Sequence, residues 1–440
     1  MATTYLTRVF GTPTNGKKFT FSAWMKKGTL SGDQAFFSTG NSSDPITTFR
    51  WNSDGKIYLF YLSGGSMVWE FATNSLYRDC FGWYNVVIAF DSTESSAGDR
   101  LKLWVNGEQI TTWSTQVNPS LDMTPTMNTA VRHDLGTNGP GGNYFTGLMS
   151  HVHFVDGTAY PASTFGSTDA TTGEWKINTN PTVTYGDNGF FLLKNDASLT
   201  DQSGEGNNFT LGGGTLTKTE DNPSNVFATI NILDNFYNGL TLTNGNTSWV
   251  SGSPYSVTRS TLGASSGKYY FEMKVVNEGN TDYEFGIVGA AGTSTSSWMG
   301  SSGSYGYAYE SNAKLRANGT AVDPWGSTYD DGDILGCAFD LDNNKIYFSK
   351  NGSWQQSGDP SAGSNGYTIA AAADTTAGAY FVGAGDFSGS SGQSGQFNFG
   401  NGYFGTSAIS SAGTNASNIG IFEYDVPTGY TALSTKGLNE

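Results

Sequence analysis

The chain has 440 residues, enough for two or three domains that each bury a core, which excludes a small disulfide-stapled scaffold. Only 14% of the residues are charged, while 59 glycines and 14% aromatic residues favour strands and turns. The formal net charge of -16 opposes binding to a nucleic-acid backbone, so nucleic acid is not an expected partner.

The N-terminal segment is not predicted to direct export. Residues 1–18 alternate polar and apolar side chains without the continuous apolar run of a signal peptide. Longer apolar stretches, such as 86–90 and 369–373, fall far short of the roughly 20 residues that cross a bilayer. We therefore expect synthesis in a cytoplasm and no membrane insertion. Cys80 and Cys337 lie too far apart for a disulfide framework and are expected to be buried free thiols.

Strand patterns begin at residue 19 and continue through the chain. Phe19, Phe21 and Ala23 alternate with more polar neighbours, and residues 56–62 are rich in aromatic and branched side chains. Apolar spacing typical of helices is absent, and Gly, Asn, Ser and Asp interrupt nearly every candidate helix. The sequence therefore predicts an all-β chain of antiparallel sandwiches or jelly rolls.

The two halves of the chain share a local pattern. Each contains a buried strand ending in Ala-Phe-Asp, a polar connection, an alternating strand and an Asn-Gly turn. These elements fall at 86–91, 101–105 and 106–107 in the first half, and at 334–340, 345–348 and 351–352 in the second. Two sandwiches of related topology would explain the match. Chance agreement in a chain rich in Gly and Asn is the alternative.

A domain boundary is predicted where the chain becomes polar and glycine-rich, between residues 200 and 253. The expected division is a first sandwich over 1–205, a connection with the first strands of the second domain over 206–250, and a second sandwich over 251–440. A further Gly/Ser/Gln stretch at 387–396 is predicted to be an exposed loop.

Three ordered blocks of the first half, at 19–26, 82–87 and 103–107, resemble a laminin-G-like (concanavalin A-like) jelly roll. The stretch 144–157, followed by 165–176, is similar more narrowly to the version found in bacteriophage structural proteins. This resemblance implies a virion protein.

Blocks of the second half resemble a SPRY domain, which is also a concanavalin A-like β-sandwich. They lie at 267–272, 285–289, 305–307, 332–336 and 350–352, with a tail at 397–401 and 427–433. The two resemblances together imply two such sandwiches in tandem, on the fibre, tail or capsid surface of a tailed phage. They also imply a location on the virion surface, other virion proteins as partners, and a homo-oligomer that follows the symmetry of its attachment site.

A catalytic centre is not recognisable in the sequence. Laminarinase-type enzymes place paired carboxylates on one face of a strand, about 5.5 Å apart. The nearest match, Glu423 and Asp425, lacks the third carboxylate and precedes Pro427. Neither a nucleophile elbow nor a phosphate-binding loop is present. We therefore predict that the chain is not an enzyme.

Two groups of residues could bind a metal. His151 and His153 share a face if they lie on a strand, but further ligands are missing, so we expect two histidines on an exposed strand face. Asp330, Asp331 and Asp333 form an acidic turn, for which capping of the local backbone is favoured over calcium binding. No cofactor is predicted, with calcium left open.

Aromatic side chains are the remaining candidates for a binding site, because sugar rings stack on Trp and Tyr. The segment between two SPRY-like blocks supplies the predicted glycan- or partner-binding residues, Trp298, Tyr305, Tyr307, Tyr309 and Trp325. On one strand the three tyrosines would point the same way. Burial in the core is the alternative for this set.

The leading prediction is a non-enzymatic virion structural protein that adheres to host-surface polysaccharide, docks on other virion proteins, or does both. Two alternatives stay open: a purely architectural decoration or connector protein, and a glycan depolymerase with an unrecognised carboxylate pair in a cleft. Fold alone does not decide between them.

Overall fold

The computed structural model describes residues 3–40, 44–139, 142–234, 240–252, 256–279, 282–290, 298–386 and 392–439. The chain divides into two compact units, Met1–Lys218 and Thr219–Glu440. This division falls inside the segment 206–250 that the sequence assigns to the connection. Both cysteines are free and buried, as predicted.

The described residues of the first unit form sixteen strands. They are β1 Tyr5–Val9, β2 Lys18–Lys27, β3 Gln34–Thr39, β4 Ile46–Trp51, β5 Ile57–Ser63, β6 Ser66–Thr73, β7 Tyr84–Asp91, β8 Leu101–Val105, β9 Glu108–Gln109, β10 Trp113–Val117, β11 Arg132–Leu135, β12 Gly147–Asp156, β13 Gly166–Thr168, β14 Trp175–Ile177, β15 Phe190–Leu192 and β16 Thr210–Gly213.

Fourteen of these strands form two antiparallel sheets around an aromatic core. The larger sheet has the order β10-β6-β5-β4-β3-β11-β1-β16, and the smaller has the order β15-β12-β2-β7-β8-β9. Phe19, Phe21 and Ala23 of β2 belong to the core, as their alternation predicts. The Phe21 ring stacks on that of Phe37 from the other sheet at 5.0 Å.

β13 and β14 lie between β12 and β15 in the chain and form a separate hairpin, which carries Trp175. The indole Nε1 of Trp175 donates to Asn85 Oδ1 at 3.0 Å. Its ring lies so close to Gly107 and Gly166 that a Cβ on either would stand 2.4 or 2.5 Å from a ring atom. Glycine at these two positions therefore allows the hairpin to pack on the turn after β8.

Seventeen strands lie in the described part of the second unit. They are β17 Leu240–Thr243, β18 Ser248–Ser251, β19 Val257–Ala264, β20 Lys268–Asn277, β21 Tyr283–Val288, β22 Tyr307–Glu310, β23 Leu315–Ala317, β24 Thr320–Val322, β25 Ile334–Asp340, β26 Lys345–Lys350, β27 Ser353–Trp354, β28 Tyr367–Thr368, β29 Tyr380–Asp386, β30 Ser394–Asn398, β31 Tyr403–Phe404, β32 Ser407–Ala408 and β33 Thr431–Ala432.

One sheet of this unit has the order β17-β18-β30-β20-β25-β26-β27, with β28 beside β26 and β33 beside β20. A second sheet has the order β19-β29-β21-β22-β23-β24, and β31 pairs only with β32. The β20–β33 pair is parallel. Aromatic side chains such as Phe271, Phe285 and Phe397 fill the space between the sheets. Of the predicted loop at 387–396, residues 387–391 lie outside the described residues. The last three residues, from Ser394, belong to β30.

Helical structure in the described ranges is confined to short 3-10 turns. They are Ala97–Asp99, Ala162–Thr164, Gln355–Ser357, Ala372–Asp374 and Gly437–Asn439. A helix long and apolar enough to span a membrane does not occur among the described residues. The predicted all-β class is confirmed.

Candidate functional site

The predicted aromatic set divides between the core and the surface of the second unit. Tyr307 and Tyr309 lie on β22 and point into the core, with 5% and 0% of their surface exposed. The Tyr309 ring contacts those of Trp325 at 5.4 Å and Phe348 at 5.9 Å. These two tyrosines are therefore core residues, and neither ring is accessible to a ligand.

Trp298 and Tyr305 lie on the connection between β21 and β22, and both are partly buried. The Arg316 guanidinium lies 5.1 Å from the centre of the Trp298 ring. Tyr305 precedes β22 and has a φ of 49°. Its side chain is partly buried and packs against the core. The three tyrosines consequently do not form the single strand row that their spacing suggested.

Trp325 lines a shallow groove of about 300 Å³ together with Gln356, Asn365, Gly366 and Tyr367. Trp325 is itself buried, with 7% of its surface exposed. Tyr367 is half-buried at the start of β28, and the two amide side chains are exposed. The structure thus brings one predicted residue together with four that the sequence did not identify.

Turn geometry fixes the side chains of this groove. Gln356 and Asn365 have φ values of 55° and 56°, in the left-handed region, and Gln356 Nε2 donates to the Trp325 carbonyl. A Cβ on Gly366 would stand 2.4 Å from the Tyr347 ring, so only glycine fits there. The Asn365-Gly366 pair beside Tyr367 is the signal that sequence reasoning could have used.

The groove is lined by rings and carboxamides and carries no charged side chain. Carboxamides both donate and accept hydrogen bonds, and aromatic rings accept the C–H faces of a ligand. This combination suits a neutral, hydroxyl-rich or amide-rich ligand. None of its five lining residues carries a carboxyl group.

Two carboxyl groups do face each other elsewhere in this unit. Glu284 on β21 pairs directly with Glu310 on β22, and both side chains are fully buried. Glu284 accepts from Met299 N at 2.9 Å and Gly300 N at 3.4 Å, and Glu310 accepts from Arg316 Nε at 2.6 Å. Burial and the neighbouring Glu310 raise the pKa of Glu284 to about 8. The pair holds the connection between β21 and β22 on the sheet and does not line the groove.

At the weak catalytic candidate Glu423 and Asp425, the Asp425 carboxylate and the Glu423 backbone both make hydrogen bonds within the protein. Asp425 Oδ1 accepts from Thr414 N at 2.6 Å. The backbone N–H groups of Glu423 and Tyr424 donate to the Glu272 carboxylate at 2.9 and 2.8 Å. Burial raises the pKa of Glu272 to about 7. These contacts hold the C-terminal segment against β20.

The expected exposure of His151 and His153 is wrong, because 8% and 2% of their surfaces reach solvent. The His153 ring stacks on Phe191 at 3.9 Å, and its Nδ1 lies 2.8 Å from the Tyr185 hydroxyl. His151 Nδ1 lies 2.8 Å from Ser150 Oγ. Desolvation lowers the pKa of His151 to about 4 and that of His153 well below its usual value. Both are neutral packing residues at physiological pH.

The acidic turn before β25 caps its own backbone, as the favoured alternative proposed. Asp333 accepts from Lys350 Nζ at 2.9 Å and from Asp330 N at 2.9 Å. Asp331 Oδ1 accepts from Glu278 N at 2.7 Å. Across the described ranges, no three His, Cys, Asp or Glu side chains converge as metal ligands. The calcium alternative therefore has no ligand cluster in this part of the molecule.

Two family models match the chain. Residues 3–163 match the concanavalin A-like lectin/glucanases superfamily, and residues 268–402 match the SPRY domain. These matches confirm the tandem of concanavalin A-like and SPRY sandwiches. Both are folds that present binding surfaces, although the first description also covers glucanases.

Curated relatives match over a short segment. Ran-binding protein 9 of Danio rerio is 34% identical over 90 residues, which cover 20% of this chain and 15% of that protein. Its Homo sapiens counterpart is 36% identical over 90 residues, with 20% and 12% covered. The chain thus matches about 15% or less of the length of these relatives.

Two solved structures are also similar. The SPRY domain of human HERC1 has 18% identity and a TM-score of 0.30, covering 38% of this chain and 96% of that one. The heptameric SAP-like pentraxin of Limulus polyphemus has 15% identity and a TM-score of 0.29, covering 44% and 89%. These descriptions name no virion protein, and the virion origin stays a prediction.

Proposed function

We propose that the chain is a non-enzymatic binding protein of a phage virion surface, and that its second unit binds host-surface glycan in the groove beside Trp325. The groove of two rings and two carboxamides is the observation that carries the proposal. The virion location rests on the resemblance of 144–157 and 165–176 to bacteriophage structural proteins.

Glycan is favoured because the groove combines the two interactions that sugars use. The Tyr367 ring can stack on a sugar C–H face, and the amides of Asn365 and Gln356 can bond to ring hydroxyls. A groove of about 300 Å³ holds one or two sugar residues, so a single site would bind weakly. Many copies on one particle would supply avidity.

The non-enzymatic assignment is supported by the partners of the buried acids. Glu284 and Glu310 are opposite each other on neighbouring strands, but both side chains are fully buried. Glu272 accepts two backbone N–H groups and serves as an anchor. A retaining glycosidase needs two carboxyls open to the substrate.

Docking on another protein is the second candidate. The observation that favours it is the SPRY match together with relatives whose name describes binding to the protein Ran. In this case the groove would receive a peptide segment of another virion protein. The chain would then be a decoration or connector protein.

The test measures binding of the purified chain to intact host cells, to periodate-treated cells, and to particles that lack the chain. Tyr367→Ala removes the groove ring, and Tyr403→Ala removes a half-buried ring outside the groove as the matched control. We expect a loss of about tenfold or more in cell binding for Tyr367→Ala alone, since a stacking ring contributes about 1.5 kcal/mol.

Periodate should abolish binding to the cells. Binding only to the deficient particles would overturn the glycan proposal in favour of a connector. Release of reducing ends from host polysaccharide would overturn the non-enzymatic assignment.

A further inference from the structure

The two carboxamides of the groove beside Trp325 are each held by a backbone carbonyl. Gln356 Nε2 donates to the Trp325 carbonyl, and Asn365 Nδ2 donates to the Ser357 carbonyl at 3.0 Å. A carbonyl oxygen can only accept, so each amide must turn its nitrogen toward the protein. These two bonds therefore fix the orientation of both amides.

The amide oxygens are left for a ligand. Neither Gln356 Oε1 nor Asn365 Oδ1 accepts a hydrogen bond from any residue that the structure describes. Each nitrogen uses one N–H on its carbonyl and keeps the second, because an amide nitrogen carries two. Both side chains are exposed, so these groups are accessible. The groove thus offers two acceptors and two donors on amides whose orientation is set in advance.

The aromatic side of the groove is also fixed by the fold. Tyr367 pairs with Ile346 through β28, and its ring lies 6.2 Å from that of Tyr307. The backbone N–H of Trp325 donates to the Ala313 carbonyl at 2.8 Å. A site whose groups are already in place loses little conformational entropy when a ligand binds. The ring and the amides can therefore act together on one small group of a ligand.

Charge restricts the ligand further. The five lining residues include no cation, so the carboxylate of an acidic sugar would meet amide oxygens without a counter-charge. They include no anion either, so the ammonium of a free amino sugar would also be left without one. The net charge of -16 repels acidic polysaccharide at long range. The groove is therefore suited to a neutral sugar residue.

We propose, resting on the glycan function proposed above, that the groove binds the acetamido group of an N-acetylated amino sugar. The N–H of that group donates to one amide oxygen, Asn365 Oδ1 or Gln356 Oε1. Its carbonyl accepts the remaining N–H of the other amide, and its methyl group lies on the Tyr367 ring. Each of the three parts of an acetamido group then has a partner in the groove.

A plain hydroxyl at the same position of the sugar uses the groove less completely. It can exchange hydrogen bonds with one amide, but it has neither a methyl group for the Tyr367 ring nor a second polar atom for the other amide. A site built for hydrogen bonds discriminates against an analogue that leaves its groups unpaired. Because the groove is shallow and open to water, we expect a preference of about tenfold, equivalent to one net hydrogen bond.

The test compares sugars that differ in one substituent. Methyl glycosides of the glucose, galactose and mannose series, with an acetamido, hydroxyl or ammonium group at the second carbon, are titrated into the full chain. The uronic acid of each series is included. Saturation-transfer NMR measures the affinity and shows which ligand protons lie on the protein. We expect an acetamido member to bind about tenfold more tightly than its hydroxyl counterpart, with the strongest transfer to its methyl protons.

Two glycine variants test the role of the amide. Asn365→Gly removes one carboxamide and keeps the left-handed turn, since a φ of 56° suits glycine. It should abolish most of the preference for acetamido over hydroxyl. Asn418→Gly is the matched control, because Asn418 has a φ of 57° and its Nδ2 donates to the Ala416 carbonyl outside the groove. It should leave the preference unchanged, and circular dichroism checks that both variants are folded.

The outcomes separate this inference from the function on which it rests. Equal affinity for the acetamido and hydroxyl members, or tighter binding of an ammonium sugar or a uronic acid, would overturn the inference and leave glycan binding standing. Equal effects of the two glycine variants would overturn it in the same way. Failure of every sugar to bind would overturn the proposed function as well.

Discussion

At the scale of single residues, buried acids connect chain segments that are distant in sequence. Asp156 accepts from Thr14 N at 2.6 Å, from Asn128 Nδ2 at 2.6 Å and from Asn188 N at 3.2 Å. It thereby joins four segments of the first unit. Glu272 has the same role in the second. A carboxylate that accepts several N–H groups is costly to replace, because each donor would be left without a partner.

Glu272→Ala should destabilise the second unit by about 3 kcal/mol, since two backbone N–H groups lose a buried acceptor. Glu272→Gln keeps an acceptor oxygen and should cost clearly less. Urea unfolding of the two variants measures the difference. A loss near zero for Glu272→Ala would show that the carboxylate contacts do not hold the C-terminal segment.

At the scale of elements, the pattern repeated in the sequence corresponds to the same structure in both units. The long strand β2 pairs with β7, and Lys18 at its start bonds to Asp91 at 2.8 Å. In the second unit β20 pairs with β25, and Lys268 bonds to Asp340 at 3.0 Å. The related topologies are therefore real, and chance is the weaker explanation.

Strand alternation was predictable because it reflects local geometry, as the row of Phe19, Phe21 and Ala23 shows. Alternation does not reveal what covers the other face of a sheet. His153 was expected in solvent, yet Phe191 and Tyr185 cover it. Tyr367 was missed for a related reason, because tertiary folding brings it to Trp325.

Gly107→Ala should detach the hairpin of β13 and β14. The new Cβ would meet the Trp175 ring at 2.4 Å, and the φ of 81° already disfavours a side chain. Gly173→Ala is the matched control, since its φ is 75° and nothing lies within 4 Å. We expect a loss of about 1 kcal/mol for the control and about 3 kcal/mol for Gly107→Ala by thermal unfolding. Similar losses would contradict packing of the ring on this turn.

The connection between β21 and β22 should loosen as the pH rises from about 5 to 8. Glu284 has a pKa of about 8, raised above its unfolded value by burial and by Glu310, so its stabilising effect is lost as pH rises through 8. Deprotonation leaves two facing carboxylates beside Arg316. Hydrogen exchange at residues 299–306 should accelerate, beyond the intrinsic rate, from about pH 5 up to pH 8 and level off above it. Glu284→Gln should remove this excess, and its persistence in that variant would contradict the assignment.

At the scale of the whole molecule, ionisable groups of opposite kind are buried in the two units. All three histidines lie in the first unit, and burial lowers the pKa of His133 to about 3 and that of His151 to about 4. The second unit contains Glu272 and Glu284, with pKa values raised to about 7 and about 8. When the protein unfolds near pH 5 to 6.5, the histidines therefore take up protons and the two glutamates release them.

The two units should therefore respond oppositely to pH between 5 and 6.5. Unfolded histidines, with a pKa of about 6.5, bind protons that the folded first unit excludes, so its stability falls as pH is lowered. Burial raises the pKa of Asp134, which has the opposite effect on the stability of the first unit. This single group acts against three histidines. Folded glutamates of the second unit retain protons that the unfolded chain releases above about 4.5, so its stability falls as pH is raised.

Each net proton changes the free energy of unfolding by about 1.4 kcal/mol per pH unit, which calorimetry at pH 5 and 6.5 can resolve. Gly107→Ala identifies the transition of the first unit, because only that unit contains the altered turn. Two transitions that move in the same direction would show that other groups control the pH dependence. Opposite movement would show that each sandwich unfolds on its own, with its buried ionisable groups setting its pH range.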